Sequence, residues 1–250
     1  MSGHSKWSTI KRKKGAADAK RGQVFTKIGR ELTMAARSGG GDQETNVRLR
    51  LTVAKARASS MPKENIERAI KRGTGELEGA ALEEVLYEAY GPHGSALMIQ
   101  TLTDNRNRTV AAVRATLSRH GGRMGEAGSV GWMFDHKGVI QIEARGKDPE
   151  EFALEIMDLG AEDAKIEGRA MEVYTSPIAL HKVQQALEEK KIAYESAELA
   201  MVPKNYLELP PEEAAATMRL VEILEETDDV QTVFTNVDIT DEVLAQLEAA

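Results

Sequence analysis

The chain has no cysteine, seven prolines in 250 residues, and an aromatic content of 4%. Without cysteine there is no disulfide framework, no Cys-ligated zinc, no iron–sulfur cluster and no thiol nucleophile. The five histidines (His4, His93, His120, His136 and His181) are scattered, and no two stand at i, i+4 to hold a metal from one helix face. No apolar run approaches the length of a membrane span; Ser95–Leu102 has the length of a buried strand. The N-terminal bases have no apolar core behind them, which excludes a secretory signal. Their Ser- and base-rich character is shared with organellar transit peptides, but the basic pattern continues unbroken into well-patterned helices, so a cytoplasmic protein is expected.

Catalytic motifs are missing as well. There is no phosphate loop of the G-x-x-x-x-G-K type and no G-x-S-x-G elbow. Gly73, Gly75 and Gly79 are spaced G-x-G-x-x-x-G and follow a helix, where a dinucleotide fingerprint needs a different spacing and a preceding strand, so this stretch is a linker. With no residues to anchor a mechanism, no enzyme, cofactor, metal or small-molecule substrate is expected.

What the chain does have is segregated charge. Its first 73 residues hold 18 Lys or Arg and 6 Asp or Glu, a balance of +12. The other 177 hold 15 bases and 34 acids, or −19, giving the net −7 of the whole. A concentrated positive surface attracts polyanions and steers their encounter. The acids that normally intersperse surface lysines are missing from the head, so nucleic acid is the expected partner.

Residues 1–21 carry little but Trp7 and Ile10 to bury, and are expected to form a flexible basic arm. Helical spacing then predicts helices from Gln23 to Arg37, Glu44 to Ala58, and Pro62 to Gly73. In the second of these, Val47, Leu51, Ala54 and Ala58 form one stripe, and Leu49 and Val53 a second patch. Beyond the linker, strands are predicted at Val85–Tyr90 and Ser95–Thr103, then a helix from Thr109 to Arg119. Val130–Phe134 and Val139–Glu143 read as a hairpin turning at Asp135–Gly138. Asp148-Pro149-Glu150-Glu151 is a helix start, with an acidic N-cap and Pro in the first turn. Strands at Asp163–Glu167 and Ala170–Tyr174, a helix from Pro177 to Lys190, and a strand at Tyr194–Met201 complete a β-α-β-β-α-β order. A last helix, Pro211 to Glu226, and strand, Val230 to Val237, would return to complete the β-β-α begun at residue 85. The expected fold is therefore α+β in three small domains: a basic helical bundle and two ferredoxin-like-related α/β domains, the middle one discontinuous. Its parts are the arm 1–21, the bundle and linker 22–79, a middle domain of 80–134 plus 205–250, and an inserted domain 135–204.

The candidate nucleic-acid contacts are Lys6, Trp7, Lys11, Arg12, Lys13, Lys14, Lys20 and Arg21 in the arm. In the bundle they are Lys27, Arg30, Arg48, Lys55, Lys63, Arg68 and Arg72. This pattern indicates phosphate contact, because nothing in it marks a groove-reading helix. Trp7 and Phe25 have the chemistry to stack on bases, and equally to staple the arm to the bundle. A candidate anion site is Asn105, Arg106 and Arg108, where Thr103–Thr109 follows a strand and opens a helix. Capping of that helix explains the same residues equally well.

Several blocks carry a family resemblance: Ser2-Gly3-His4-Ser5-Lys6-Trp7, Phe25-Thr26-Lys27-Ile28, Met61-Pro62-Lys63, Tyr87-Glu88, Tyr90-Gly91-Pro92 and Thr103-Asp104-Asn105 with Asn107-Arg108-Thr109. In this order the chain resembles the YebC/PmpR family over essentially its whole length. It departs from the pattern at Ala89 and His93, where the family favours glycine around the turn. The resemblance implies three domains, one helical and two α/β. It also implies one of two functions, since some members are described as probable DNA-binding transcriptional regulators. Others, including the mitochondrial activator of cytochrome c oxidase translation, act on ribosomes, contact rRNA or tRNA and relieve stalling at proline-rich stretches.

Overall fold

The computed structural model describes residues 18–79, 81–144 and 146–249. Along them lie eight α-helices and two four-stranded antiparallel sheets, an α+β fold.

Helices α1 (Asp18–Gly39), α2 (Val47–Ala58) and α3 (Lys63–Thr74) form a bundle. Helix α1 begins inside the stretch expected to be arm, so residues 18–21 belong by backbone to the helix. Ile28, Leu32, Ala35, Leu49, Val53, Ala56, Met61, Ile66 and Ala69 share one core that draws on bundle residues alone. The expected stripe on α2 is thereby corrected: Leu49 and Val53 point inward, while Ala54 and Ala58 are exposed. Buried Asn46 sets this rotation. Its Oδ1 accepts from the Leu49 N–H at 3.0 Å, and its Nδ2 donates to the carbonyls of Ala35 and Gly40, both at 2.7 Å. One side chain thus caps α2 and fixes it to the end of α1. Helices α1 and α3 run parallel and nearly touch. Thr33 donates to the Ala69 carbonyl at 3.1 Å, and a Cβ on Gly73 would stand 2.4 Å from the Thr33 carbonyl oxygen.

Strands β1 (Glu83–Tyr90) and β2 (Ala96–Thr103) form a hairpin, followed by α4 (Arg106–Arg119) and the short β3 (Arg123–Met124). At the hairpin turn His93 takes a left-handed backbone, φ 56°, a conformation that favours glycine; its ring lies 3.2 Å from Glu213. Then come β4 (Phe134–Glu143), α5 (Pro149–Met157), β5 (Asp163–Glu167), β6 (Ala170–Thr175), α6 (Leu180–Glu189) and β7 (Tyr194–Pro203). Asp148 caps α5 by accepting from the N–H groups of Glu150 and Glu151 at 3.0 and 3.1 Å. The chain ends in α7 (Pro211–Glu225), β8 (Val230–Thr235) and α8 (Asp241–Ala249).

The first sheet has the order β3-β1-β2-β8, so its fourth strand comes from the C-terminal end of the chain. Leu97 and Ile99 of β2 share a core with Val113 and Leu117 of α4, Met218 and Val221 of α7, and Val243 and Leu247 of α8. Helix α8 was not expected from the sequence. The second sheet has the order β5-β6-β4-β7, with α5 and α6 on one face, the split βαβ arrangement. A further apolar cluster joins the sheets, with Ala96, Met98 and Phe234 of the first against Val139, Tyr174 and Ala200 of the second. The division into 80–134 plus 205–250 and 135–204 is our proposal for where these two sheets part.

The hairpin expected at Asp135–Gly138 is corrected. The chain runs straight there, and β4 pairs with β7 from Phe134↔Pro203 onward. Asp-His-Lys-Gly resembles a turn because its polar residues lie on the part of β4 that extends past β6. Gly138 is required for close packing instead: a Cβ would meet Thr175 Oγ1 at 2.3 Å and Leu180 Cβ at 2.8 Å. Gly138→Ala should therefore destabilise the protein by roughly 1–3 kcal/mol through overpacking. Urea unfolding measures this, and unchanged stability would show that close packing does not require glycine at 138.

Candidate nucleic-acid interface

The arm candidates Lys6, Trp7, Lys11, Arg12, Lys13 and Lys14 lie outside the described residues, as do the side chains of Lys20 and Arg21. The bundle candidates divide into two groups.

The first group turns toward the rest of the protein. Gln23, Lys27 and Arg30 follow one face of α1 and donate to the carbonyls of Glu226, Glu225 and Asp228. Those carbonyls sit at and just beyond the end of α7, where a helix leaves acceptors unpaired and carries partial negative charge. Lys27 and Arg30 thus complete a neighbouring helix. Arg48 pairs with Glu84 of β1 at 3.1 Å, and Lys55 with Glu31 of α1 at 2.9 Å. Arg50 donates to Nε2 of His181 on α6 at 2.8 Å, which requires a neutral ring. Burial, then the Arg50 charge, lower the His181 pKa and keep it neutral.

At the centre of this docking lies Asp229, between α7 and β8. Its side chain is 6% exposed. It receives Arg30 at 2.8 Å, Arg108 at 2.9 Å and Thr109 Oγ1 at 2.7 Å, and its own carbonyl accepts from the Leu102 N–H at 2.9 Å. Arg108 also reaches Asp104 at 2.6 Å, and Asn105 caps α4 by accepting from the Arg108 N–H at 3.0 Å. Arg106 remains largely exposed, 3.9 Å from Glu83. The candidate anion site is therefore engaged within the molecule: Asn105 caps, and the anion beside Arg108 is the carboxylate of Asp229. Sequence reasoning missed Asp229 because its partners lie far away in the chain; the only local signal is the Asp228-Asp229 pair immediately before a strand.

The second group faces outward. Lys63, Arg68 and Arg72 on α3 are exposed, with Lys71 beside them and Arg57 at the end of α2. Lys63 makes one exposed pair, 3.6 Å from Glu67, and such pairs contribute little. Because α1 and α3 are parallel, the arm joins the bundle at the end where α3 begins with Lys63. Among the described residues, no group of three or more His, Asp or Glu is placed to hold a metal ion. No helix there is long and apolar enough to cross a membrane.

Two family models match the chain, the TACO1/YebC protein N-terminal domain over residues 5–76 and the TACO1/YebC second and third domain over residues 82–237. The chain belongs to the TACO1/YebC family. A relative from Dehalococcoides mccartyi is 51% identical over 98% of this chain and 97% of its own length. Another, from Acidithiobacillus ferrooxidans, is 53% identical over 100% and 99%. Both carry the name "Probable transcriptional regulatory protein". Among solved structures, the crystal structure of a conserved hypothetical protein from Aquifex aeolicus is similar, with a TM-score of 0.81 and 42% identity over 91% of this chain and 94% of that one. The match over residues 5–76 takes in most of the basic arm along with the bundle of this TACO1/YebC member.

Burial raises the pKa of Asp229, but hydrogen bonds from Thr109 and Arg108 and the charges of Arg30 and Arg108 outweigh it, leaving the carboxyl below its ordinary value. A depressed carboxyl stabilises the fold above its unfolded pKa, and the contribution is lost as pH falls through the folded value. Asp229→Asn should cost roughly 1–3 kcal/mol at neutral pH, since Arg30 loses its carboxylate while Arg108, half exposed, keeps Asp104. It should also flatten the loss of stability below about pH 4. Urea unfolding across pH checks both, and a variant as stable as the parent at pH 7 would remove Asp229 from its central place.

Proposed function

We propose that this TACO1/YebC member is a non-enzymatic, cytoplasmic nucleic-acid-binding regulator of gene expression, acting as a DNA-binding regulator of transcription. The observation that carries the proposal is the outward basic face of the bundle. After Lys27, Arg30, Arg48 and Lys55 have been turned to internal partners, Lys63, Arg68, Lys71 and Arg72 still stand exposed on α3. The arm adds Lys6, Lys11, Arg12, Lys13, Lys14, Lys20 and Arg21 to the same end of the chain. Exposed lysines and arginines suit phosphate oxygens whatever the base sequence. The relatives' shared name supports a role in transcription.

Replacing Lys11, Arg12, Lys13 and Lys14 by Ala removes four phosphate contacts. The slope of log affinity against log salt should flatten by roughly 3–4 for duplex DNA and by slightly less for a single strand. Lys190→Ala with Lys191→Ala, on the acidic body, should change it little. Loss confined to one DNA sequence identifies a site-specific regulator. Uniform loss, with RNA bound at least as well, identifies a backbone-reading surface of the kind a ribosome-associated factor needs. An unchanged slope would overturn the basic-head proposal.

A further inference from the structure

One large aromatic side chain stands out of the acidic body. Trp132 is 67% exposed. It lies in the short helical turn Gly131–Met133, whose neighbours Val130 and Phe134 are buried at 0% and 6% exposure. The Glu88 carboxylate holds the loop before it, accepting from the N–H groups of Gly128, Val130 and Gly131 at 2.6, 2.7 and 2.7 Å. The indole N–H donates to the Ser129 carbonyl at 3.1 Å, and the Tyr90 hydroxyl donates to the same oxygen at 3.3 Å. Trp132 therefore stands on a fixed turn with its single polar group already bonded. What it offers a ligand is an aromatic face.

The surrounding charge indicates which ligand. Of the five arginines in residues 106–133, Arg106 and Arg108 are turned to Glu83, Asp104 and Asp229, which leaves Arg114, Arg119 and Arg123. Arg114, Arg119 and Arg123 are exposed, and among the described residues none of the three forms an ion pair. The Arg123 guanidinium lies 4.7 Å from the Tyr90 ring centre, beside the oxygen that anchors Trp132. A preorganised aromatic face with the exposed Arg123 guanidinium on the adjoining Tyr90 matches an unpaired nucleobase with a flanking phosphate.

We propose that Trp132 is a stacking platform for an unpaired nucleobase, with Arg123 contacting an adjoining phosphate, a second nucleic-acid contact separate from the basic head. It rests on the proposed function, since it presupposes that the chain binds nucleic acid. It adds that part of the bound molecule is single-stranded. An apolar protein partner would not call for the exposed Arg123 guanidinium on Tyr90.

The test uses the full chain carrying Trp7→Phe, which leaves Trp132 as the only indole. Oligouridylate and oligothymidylate should each quench its fluorescence, and comparison of the two assigns RNA or DNA. Trp132→Ala should weaken single-strand affinity roughly 5- to 150-fold without changing the salt slope. Trp132→Phe should retain most of the affinity, and thermal melting shows that both variants are folded. An abasic oligomer should bind parent and Trp132→Ala alike. If oligomers bind with full salt dependence but leave the fluorescence and the Trp132→Ala affinity unchanged, stacking is overturned while the basic-head proposal stands. Equal losses for abasic and base-bearing oligomers would also overturn it. Absence of any binding to the chain that keeps Trp7 overturns both.

Discussion

A carboxylate removed from water needs hydrogen bonds and opposite charge around it, and Asp229 has both. Arg30 reaches it from the bundle, Arg108 and Thr109 from α4, and its backbone oxygen binds the end of β2. Through Arg30 this carboxylate ties helix α1 to the end of α7. The three carbonyls that receive Gln23, Lys27 and Arg30 are then held in line. Much of the placement of the basic head thus follows from one acid in the acidic body.

The contacts between parts differ in kind. The two sheets share an apolar cluster in which Phe234, Ala96 and Met98 meet Val139, Tyr174 and Ala200. The bundle keeps its apolar core to itself and docks through ion pairs and hydrogen bonds. Apolar burial is not weakened by screening, whereas exposed charge pairing is. The contact between the sheets should accordingly respond less to ionic strength than the docking of the bundle.

The sequence revealed those features that depend on neighbours in the chain. The Asp148 cap, the order of strands and helices from 139 to 203, and the three bundle helices all follow from local spacing. The family resemblance, carried by short ordered blocks, matched the family that the domain models identify. What escaped depends on distant partners. The rotation of α2 is set by Asn46 against α1, and Gly138 is explained by Thr175 and Leu180 across the sheet. Of the candidate contacts, Lys27, Arg30, Arg48 and Lys55 could not be told from outward-facing bases, because a lysine on a helix looks alike whether it meets solvent or a distant carbonyl. Asn105 and Arg108 were left between capping and anion binding, and the answer involved Asp229 near the other end of the chain.

The place of β8 affects how the chain is made. Strand β2 is buried along nearly its whole length, yet its second neighbour is not translated until residue 230. At about 5–20 residues per second, some 6–25 s pass with that apolar edge unpaired. Meanwhile the second sheet, whose four strands all lie between Phe134 and Pro203, can close. The nascent protein therefore carries an open β-edge, a surface prone to pairing with other chains. Arg30 also waits for Asp229, so the basic head emerges from the ribosome long before the acid that positions it.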